Sequence, residues 1–278
     1  MDEGRPQARN GELSVSKEIE KLSGLCVITG ASSGIGLELA KLASADGCDL
    51  ILAADRDLSE GQRVAMAAGA ASVETIEADL GTKDGIDALL AKIGSRPVDV
   101  LMANAGHGQG GAFLDQNWDD ISHIIDTNVK GTVSLIHQVG QKMRTRNTGR
   151  ILVTGSIAGH LPGAFQLVYN STKAFIDDFC VGLHNELKET DVVITCLLPG
   201  VTDTQFFKRA DMEDTNAGQS DSKADPAKVA KDGYDALLEG DTQVVSGLMN
   251  KVQTLFADIL PDDVVAQMHR RMAEPKGR

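Results

Sequence analysis

Basic residues are scarce in this chain of 278 residues, which has 27 Lys and Arg against 40 Asp and Glu and a net charge of −13. Nonspecific binding to nucleic acid or to an anionic membrane requires a cationic surface, so this balance argues against both partners. It leaves room for a locally basic pocket that holds a single phosphate.

Cysteine is also rare. The four cysteines are too few for a disulfide scaffold, and no two of them form a Cys-x-x-Cys pair. Cys26 and Cys196 sit within apolar, strand-like runs, so we predict buried free thiols in a reducing compartment. The six histidines show no metal-ligand spacing, and no metal site is predicted.

Long apolar runs are absent as well. The most apolar stretch, around 192–199, is far shorter than the ~20 residues that a membrane helix needs. The first 23 residues are polar and lack the apolar segment of a signal peptide. We therefore expect a cytoplasmic protein without membrane association.

What is present is a regular alternation of β-branched runs and helical patterns from Leu25 onward. Short buried strands separated by helices predict right-handed βαβ units. The predicted fold class is therefore α/β, with a Rossmann-like doubly wound parallel sheet in a single domain. The predicted strands are 25–29, 49–54, 73–77, 98–102, 150–154 and 192–198. The predicted helices are 34–46, 59–69, 82–94, 117–146 and 167–188.

The regular alternation of strand and helix patterns stops at both ends of this region. Residues 1–22 read as a polar, loosely attached N-terminal extension, and 23–205 as the dinucleotide-binding and catalytic domain. Residues 206–224 read as a substrate lid. Residues 225–278 begin with Asp225-Pro226, which favours a helix start, and read as a helical C-terminal extension of the same domain.

A glycine-rich turn directly follows the first predicted strand and opens a helix. Only glycine lacks the Cβ that would keep the backbone away from a pyrophosphate, and the helix N-terminus supplies free N–H groups. The turn therefore predicts a dinucleotide site at Gly30, Ser32, Ser33, Gly34, Ile35 and Gly36. Asp55 and Arg56 follow the second strand. A carboxylate there binds ribose hydroxyls and repels a 2′-phosphate, whereas an arginine does the opposite, so both coenzymes stay open at this point.

Tyr169 and Lys173 lie one helical turn apart, and Ser156 ends a predicted strand thirteen positions earlier. Tyrosine has a pKa near 10, but an ammonium ~4 Å away at an effective dielectric of ~20 favours the phenolate by about 4 kcal/mol. That would bring Tyr169 into the range of efficient general acid–base catalysis. With a serine that binds the substrate oxygen, the set suits proton transfer beside a nicotinamide.

These motifs resemble the short-chain dehydrogenase/reductase family over about residues 24–205. Asp79-Leu80 is similar to the family's adenine-contacting pair, and Asn104-Ala105-Gly106 to the turn that closes the fourth strand. Asn128 matches the asparagine that holds a relay water. Four residues are similar to the loop beside the nicotinamide carboxamide: Pro199, Gly200, Thr202 and Thr204.

The resemblance implies NAD(P)-dependent interconversion of a secondary alcohol and a ketone or aldehyde. It implies that Tyr169 is the acid/base, that Lys173 lowers its pKa and binds the nicotinamide ribose, and that Ser156 orients the substrate oxygen. Asn128 would support the water chain.

The coenzyme residues depart from the family pattern. Ala54 stands where NAD-preferring members carry an acid, and Asp55 where NADP-preferring members often have arginine. Ser33 replaces a basic residue of many NADP users. The absence of these two phosphate-binding cations and the presence of the Asp55 carboxylate favour NAD(H), while Arg56 keeps NADP(H) open.

Substrate specificity is expected from residues 107–113, 160–167 and 204–218, which flank the nicotinamide position. They predict a mainly apolar or aromatic small-molecule alcohol or carbonyl substrate. The candidate contacts are His107, His160, Phe165, Gln166, Phe206 and Phe207. His123, in a helix, is interpreted as structural or interfacial.

Two other functions stay open: a catalytically silent nucleotide-sensing or scaffold protein on the same fold, and an isomerase or epimerase with a retained nicotinamide. The helices 117–146 and 167–188 resemble those through which family members associate. A homodimer or homotetramer is therefore expected.

Overall fold

Seven parallel strands form one sheet in the computed structural model, which describes residues 17–257 and 260–276. The strand order is β3-β2-β1-β4-β5-β6-β7, so the winding direction reverses between β1 and β4. The predicted doubly wound α/β fold is confirmed. The strands are β1 (Leu25–Thr29), β2 (Asp49–Ala54), β3 (Ser72–Glu77), β4 (Val100–Ala103), β5 (Gly149–Thr154), β6 (Val192–Leu198) and β7 (Gln243–Val245).

Helices cover both faces of the sheet, which is why the central strands are apolar along their whole length. In β1, Val27 faces the core beneath the helices at 83–93, 132–146 and 167–186, whereas Cys26 and Ile28 face the core beneath the helices at 34–45, 59–67 and 226–239. All four cysteines are buried and free, as predicted. The helices are α1 (Gly34–Ala45), α2 (Ser59–Ala67), α3 (Lys83–Ile93), α4 (Trp118–Ile125), α5 (Thr132–Arg146), α6 (Leu167–Glu186), α7 (Phe206–Arg209), α8 (Pro226–Glu239), α9 (Leu248–Ala257) and α10 (Asp262–Ala273).

The helix predicted over 117–146 is observed as a continuous helical run, but its middle is a π-helical turn. A π-helical turn, Asp126–Gly131, separates α4 from α5. At Gly131 the backbone passes so close to the loop after β3 that a Cβ would lie 2.3 Å from the Leu80 carbonyl oxygen. Apolar spacing continues through such a turn, so periodicity does not reveal it. The widened turn contains Asn128, and π-turns are frequent at functional sites.

The ends of the predicted domain also differ from expectation. Lys17–Leu22 pack on the domain: Leu22 is buried and the Ile19 N–H donates to the Leu238 carbonyl at 2.9 Å. The buried Arg150 guanidinium donates to the Lys17 carbonyl. Residues 1–16 of the predicted extension lie outside the described residues. At the other end, the short strand β7 joins the sheet beside β6.

Candidate active site

A cleft of about 1120 Å³ opens at the carboxyl ends of the strands, around the point where the winding reverses. In open α/β sheets this is where ligands bind. Nearly all the coenzyme-binding residues predicted above line it. Those in the cleft wall are Gly30, Ser32, Ser33, Gly34, Ile35, Asp55, Arg56, Asp79, Leu80, Asn104, Ala105, Gly106, Tyr169, Lys173, Pro199, Gly200, Thr202 and Thr204.

The backbone conformation of the glycine turn allows a ligand to come close to the main chain. Gly30 and Gly34 adopt φ angles of 65° and 57°, which side chains with a Cβ rarely accept. Gly36 lies behind the cleft wall, where a Cβ would come within 2.3 Å of the Gly30 carbonyl oxygen. It therefore packs α1 against the turn. The first turn of α1 carries no acidic residue, so its positive end is available to an anion.

The end of the cleft where adenosine is predicted to bind, the adenosine end, carries the Asp55 carboxylate and two guanidinium groups. Arg56 donates to both carboxylate oxygens of Asp55, at 2.7 and 2.6 Å, and this hydrogen bonding lowers the pKa of Asp55. Arg209 of α7 donates to the Ser33 hydroxyl at 3.2 Å. Burial and the nearby Arg56 lower the pKa of Arg209. Sequence reasoning missed Arg209 because it lies 176 residues beyond Ser33 and has no motif.

The turn after β4 is tied to its neighbours by side-chain hydrogen bonds. The Asn104 amide donates to the Thr29 carbonyl at 3.1 Å and accepts from the Thr154 hydroxyl at 3.0 Å. Lys173 in turn donates from Nζ to the Thr154 carbonyl at 2.7 Å. These bonds hold the lysine ammonium beside Thr154 in the cleft wall.

Helix α6 carries Tyr169 and Lys173 on the side that faces the cleft, and Ser156 lies opposite them after β5. The Ser156 hydroxyl accepts from the Ala158 N–H at 3.1 Å, which orients it at the start of a short 3-10 turn. The Lys173 Nζ lies 5.8 Å from the centre of the Tyr169 ring. All three side chains line the same cleft.

The expected lowering of the Tyr169 pKa by Lys173 is wrong for this structure. Burial raises the pKa of Tyr169 to about 12, and a hydrogen bond with Ser156 opposes that rise. Burial also lowers the pKa of Lys173. The ammonium bonds to a backbone carbonyl, so desolvation of the phenolate outweighs its influence.

Behind Ser156, Tyr169 and Lys173 lies a buried carboxylate that the sequence analysis did not predict. Asp177 is 6% exposed and accepts from the Ser156 N–H at 3.4 Å. Burial raises its pKa to about 6, although the Lys173 charge opposes the rise. Two glycines make room for it, since a Cβ at Gly155 or Gly159 would lie 1.9 or 2.3 Å from its oxygens. The available signal was an acid four residues after Lys173 on the same helix.

Asn128 does not line the cleft. Its side-chain oxygen accepts from the His107 N–H at 3.0 Å, and its amide donates to the His107 carbonyl at 2.9 Å and to the Thr172 hydroxyl at 3.0 Å. The side chain thus joins the turn after β4 to α6.

His107 lines the cleft, but its ring is engaged with a second histidine rather than free for substrate. Its Nε2 lies 2.8 Å from Nδ1 of His123, and His123 Nε2 lies 3.1 Å from both Asp79 oxygens. With Asp79 accepting from His123 Nε2–H, the His123 Nδ1 accepts from His107 Nε2–H. His123 also lines the cleft, whereas a structural or interfacial role was predicted. No spacing pattern links these residues in the sequence.

At the substrate end, the structure brings only some of the predicted contacts into the cleft. Gln166, Phe206 and Phe207 line it, and the Phe206 ring lies 5.0 Å from that of Tyr169. His160 and Phe165 are not in its wall; the Phe165 ring packs under the Arg270 guanidinium at 5.1 Å. The C-terminal segment adds wall residues without a sequence signal: Leu248, Met249, Asn250, His269, Met272 and Ala273.

The family model described as short chain dehydrogenase matches residues 25–215, more than two thirds of the chain. The chain belongs to the short chain dehydrogenase family. The matched region runs from β1 to the lid and contains the glycine turn, Ser156, Tyr169 and Lys173. It also confirms the family resemblance of the motifs.

Relatives of this short chain dehydrogenase cover almost the whole chain. An uncharacterized oxidoreductase of Myxococcus xanthus is 31% identical over 260 residues, covering 88% of this chain and 96% of the relative. A short-chain dehydrogenase from Sphingobium yanoikuyae in complex with NADPH is 26% identical, with a TM-score of 0.76, covering 85% and 93% of the two chains. One from Burkholderia phymatum in complex with NAD is 23% identical, with a TM-score of 0.75 and coverage of 87% and 95%, and shares the fold.

The described part of this short chain dehydrogenase has no helix that is long and apolar enough to cross a membrane. Within residues 17–257 and 260–276 there is also no cluster of three or more His, Cys, Asp or Glu side chains arranged to hold a metal ion.

Proposed function

We propose that the protein is an NAD(P)-dependent oxidoreductase that interconverts a secondary alcohol and a ketone or aldehyde of mainly apolar or aromatic character. The observation that carries this proposal is the convergence of Ser156, Tyr169 and Lys173 in the same cleft as the glycine turn. The glycine cradle and the free N-terminus of α1 fit a dinucleotide pyrophosphate. The membership of the family supports the same chemistry.

A nicotinamide coenzyme, when bound, supplies the hydride donor or acceptor. The Ser156 hydroxyl donates a hydrogen bond to the substrate oxygen and orients it. Tyr169, whose pKa is about 12 here, is protonated at neutral pH and gives its hydroxyl proton to the developing alkoxide in the reductive direction. Lys173 holds its ammonium beside Thr154, where its charge favours the phenolate that remains. Asn128 keeps the turn after β4 in register with α6.

The Asp55 carboxylate favours NAD(H), because it accepts from ribose hydroxyls and repels a 2′-phosphate. Arg56 is committed to Asp55 by two hydrogen bonds. NADP(H) is the second candidate because Arg209 places a guanidinium against Ser33, and because one related structure holds NADPH.

The test is a panel of apolar and aromatic ketones, aldehydes and secondary alcohols followed at the nicotinamide absorbance band with both coenzymes. We expect turnover by wild type, a loss of at least about 10³-fold in kcat in Tyr169→Phe, and unchanged coenzyme binding, because the acid/base is removed without disturbing the glycine turn. Turnover equal to wild type in Tyr169→Phe would instead support a silent scaffold protein. Coenzyme that co-purifies and does not exchange would support an isomerase or epimerase.

The two coenzymes are compared in the same panel by kcat/KM, in wild type and in Arg209→Gln. We expect wild type to prefer NAD(H) and Arg209→Gln to lose residual NADP(H) activity only. A strong preference of wild type for NADP(H) would overturn the assignment to NAD(H). An equal loss with both coenzymes would assign Arg209 to the shared pyrophosphate.

A further inference from the structure

Gln166 presents a buried polar group that the fold itself does not use. The residue is 7% exposed and lines the cleft. Among the described residues, none forms a hydrogen bond with its side-chain amide, which faces the cleft. An amide that lines a cleft without a protein partner is available to hydrogen-bond a ligand.

The backbone holds this side chain in place. The preceding residue, Phe165, has a φ of 65°, a left-handed conformation that is strained for an aromatic residue. It is maintained by the Gly111 N–H, which donates to the Phe165 carbonyl at 3.0 Å, and by Arg270 over its ring. The Gln166 N–H donates to the Gly163 carbonyl at 2.8 Å. Strain of this kind clusters at ligand-binding sites.

Gln166 stands three residues before Tyr169 at the start of α6. It is the N-cap residue of α6, and a rise of three residues places its backbone ~5 Å along the helix axis from that of Tyr169. The surrounding wall includes Leu161, Phe206 and Met272. Of the Asp, Glu, Lys and Arg side chains in the described cleft wall, all except Lys173 lie at the adenosine end: Asp55, Arg56, Asp79 and Arg209.

We propose that Gln166 binds a second, uncharged oxygen of the substrate, about one helix turn from the oxygen that reacts at Tyr169. This inference rests on the proposed function. An amide both donates and accepts, so the partner is a carbonyl or hydroxyl oxygen. The substrate class is therefore a ketone or secondary alcohol with an apolar body and a second neutral oxygen, such as a keto ester, a hydroxy ketone or a diketone.

The experiment compares matched pairs that differ in the second oxygen: alkyl and benzyl esters of acetoacetate against methyl ketones of the same chain length. Wild type, Gln166→Leu and the control Gln267→Leu, at an exposed position of α10, are assayed with each member. Leucine keeps the volume of the glutamine but removes both hydrogen-bonding groups.

We expect wild type and Gln267→Leu to prefer the keto esters by at least about tenfold in kcat/KM, since a site built around a hydrogen bond rejects an analogue that lacks it. In Gln166→Leu the preference should fall to near unity because kcat/KM for the keto esters drops, while coenzyme binding stays within about threefold.

A wild-type enzyme that treats each pair alike, or a Gln166→Leu variant that keeps the preference, overturns the inference and leaves the oxidoreductase function intact. Turnover of other ketones in the panel without any activity on the pairs also overturns it. No turnover of any carbonyl or alcohol, together with a Tyr169→Phe variant equal to wild type, would instead defeat the proposed function.

Discussion

Asp177 shows how a residue away from the substrate shapes the active site. Its carboxylate accepts from the backbone of Ser156 and neighbours the Lys173 ammonium, so it acts through both as a positioning residue. Burial works against its charge, and the folded protein holds its proton more tightly than the unfolded chain does. That difference couples its titration to stability.

The pKa of Asp177 rises from 3.8 to about 6 on folding, which corresponds to about 3 kcal/mol. Because the folded state binds the extra proton, this contribution to stability is present below pH 4 and is lost as the pH rises to 6. We therefore expect wild type to lose stability relative to Asp177→Asn between pH 4 and pH 7, measured by urea unfolding at each pH.

Asp178→Asn, one position along on the exposed side of α6, is the control and should follow wild type across the same range. A constant stability difference between wild type and Asp177→Asn would contradict the prediction. A parallel fall of kcat in Asp177→Asn, without a change in coenzyme binding, would be expected from the loosened Ser156.

Residues with a local signature were predictable from the sequence. The glycine turn, Ser156, Tyr169 and Lys173 follow strand ends or helix spacing, and the structure brings them into one cleft. Arg209 and His123 carry no such signature, because their contacts are with residues far away in the chain. The Tyr169 pKa was predicted with the wrong sign, because a sequence does not reveal how deeply a side chain is buried.

At the scale of elements, α10 forms hydrogen bonds to the loop and the helix that border the predicted substrate side of the cleft. Its His269 donates from Nδ1 to the Ala164 carbonyl at 2.9 Å and accepts at Nε2 from the Asn170 amide, 3.2 Å away. Asn170 also donates to the Leu161 carbonyl at 3.0 Å. Burial lowers the pKa of His269, which keeps the ring neutral and able to accept. The helix thereby joins the 160–166 loop to the residue after Tyr169.

We expect His269→Ala to raise the KM for the carbonyl substrate by about tenfold or more and to leave kcat within about threefold. Two buried hydrogen bonds that position the loop are lost, and each unsatisfied partner costs about 1–3 kcal/mol, whereas the reacting groups stay in place. Steady-state kinetics with saturating coenzyme measures this split.

Met268→Ala is the matched control, because Met268 is 51% exposed on the same helix. Partial recovery of KM in His269→Gln would confirm that hydrogen bonding, rather than volume, is the cause. A His269→Ala variant with a lower kcat and an unchanged KM would contradict the assignment.

Elements with strong periodicity were predicted close to their observed bounds, as for β1, β2 and β6. The π-turn within 117–146 was not predicted, because it arises from the contact of Gly131 with the loop after β3. The strand β7 is only three residues long, which is too short to show an alternating pattern, and it is stabilised by its pairing with β6.

At the scale of the whole molecule, one outer face remains apolar. On α6, Leu167, Phe175 and Val181 are 45%, 48% and 46% exposed, and Phe175 stacks on Phe179. Phe113 lies beside Leu167 and Phe175 on the same face. An exposed apolar face of this kind usually marks a protein–protein interface, even on a protein of net charge −13. We therefore propose that a second copy covers it in a homodimer or homotetramer built on α6.

The double variant Phe175→Glu, Val181→Glu should have at most half the molar mass of wild type in light scattering, because each copy would bring like charges to the interface. Met66→Glu, at a 54% exposed position on α2, should leave the mass unchanged. A monomeric wild type would contradict the proposal.

The residues that form the cleft wall lie far apart in the sequence, so they leave the ribosome at different times during synthesis. The glycine turn and the first strands emerge from the ribosome early, whereas α10 emerges after every other element that lines the cleft. Domains generally fold as units, and this sheet with its helices is one domain. The cleft is therefore completed only once α10, close to the C-terminus, has been made and can pack on the rest of the domain.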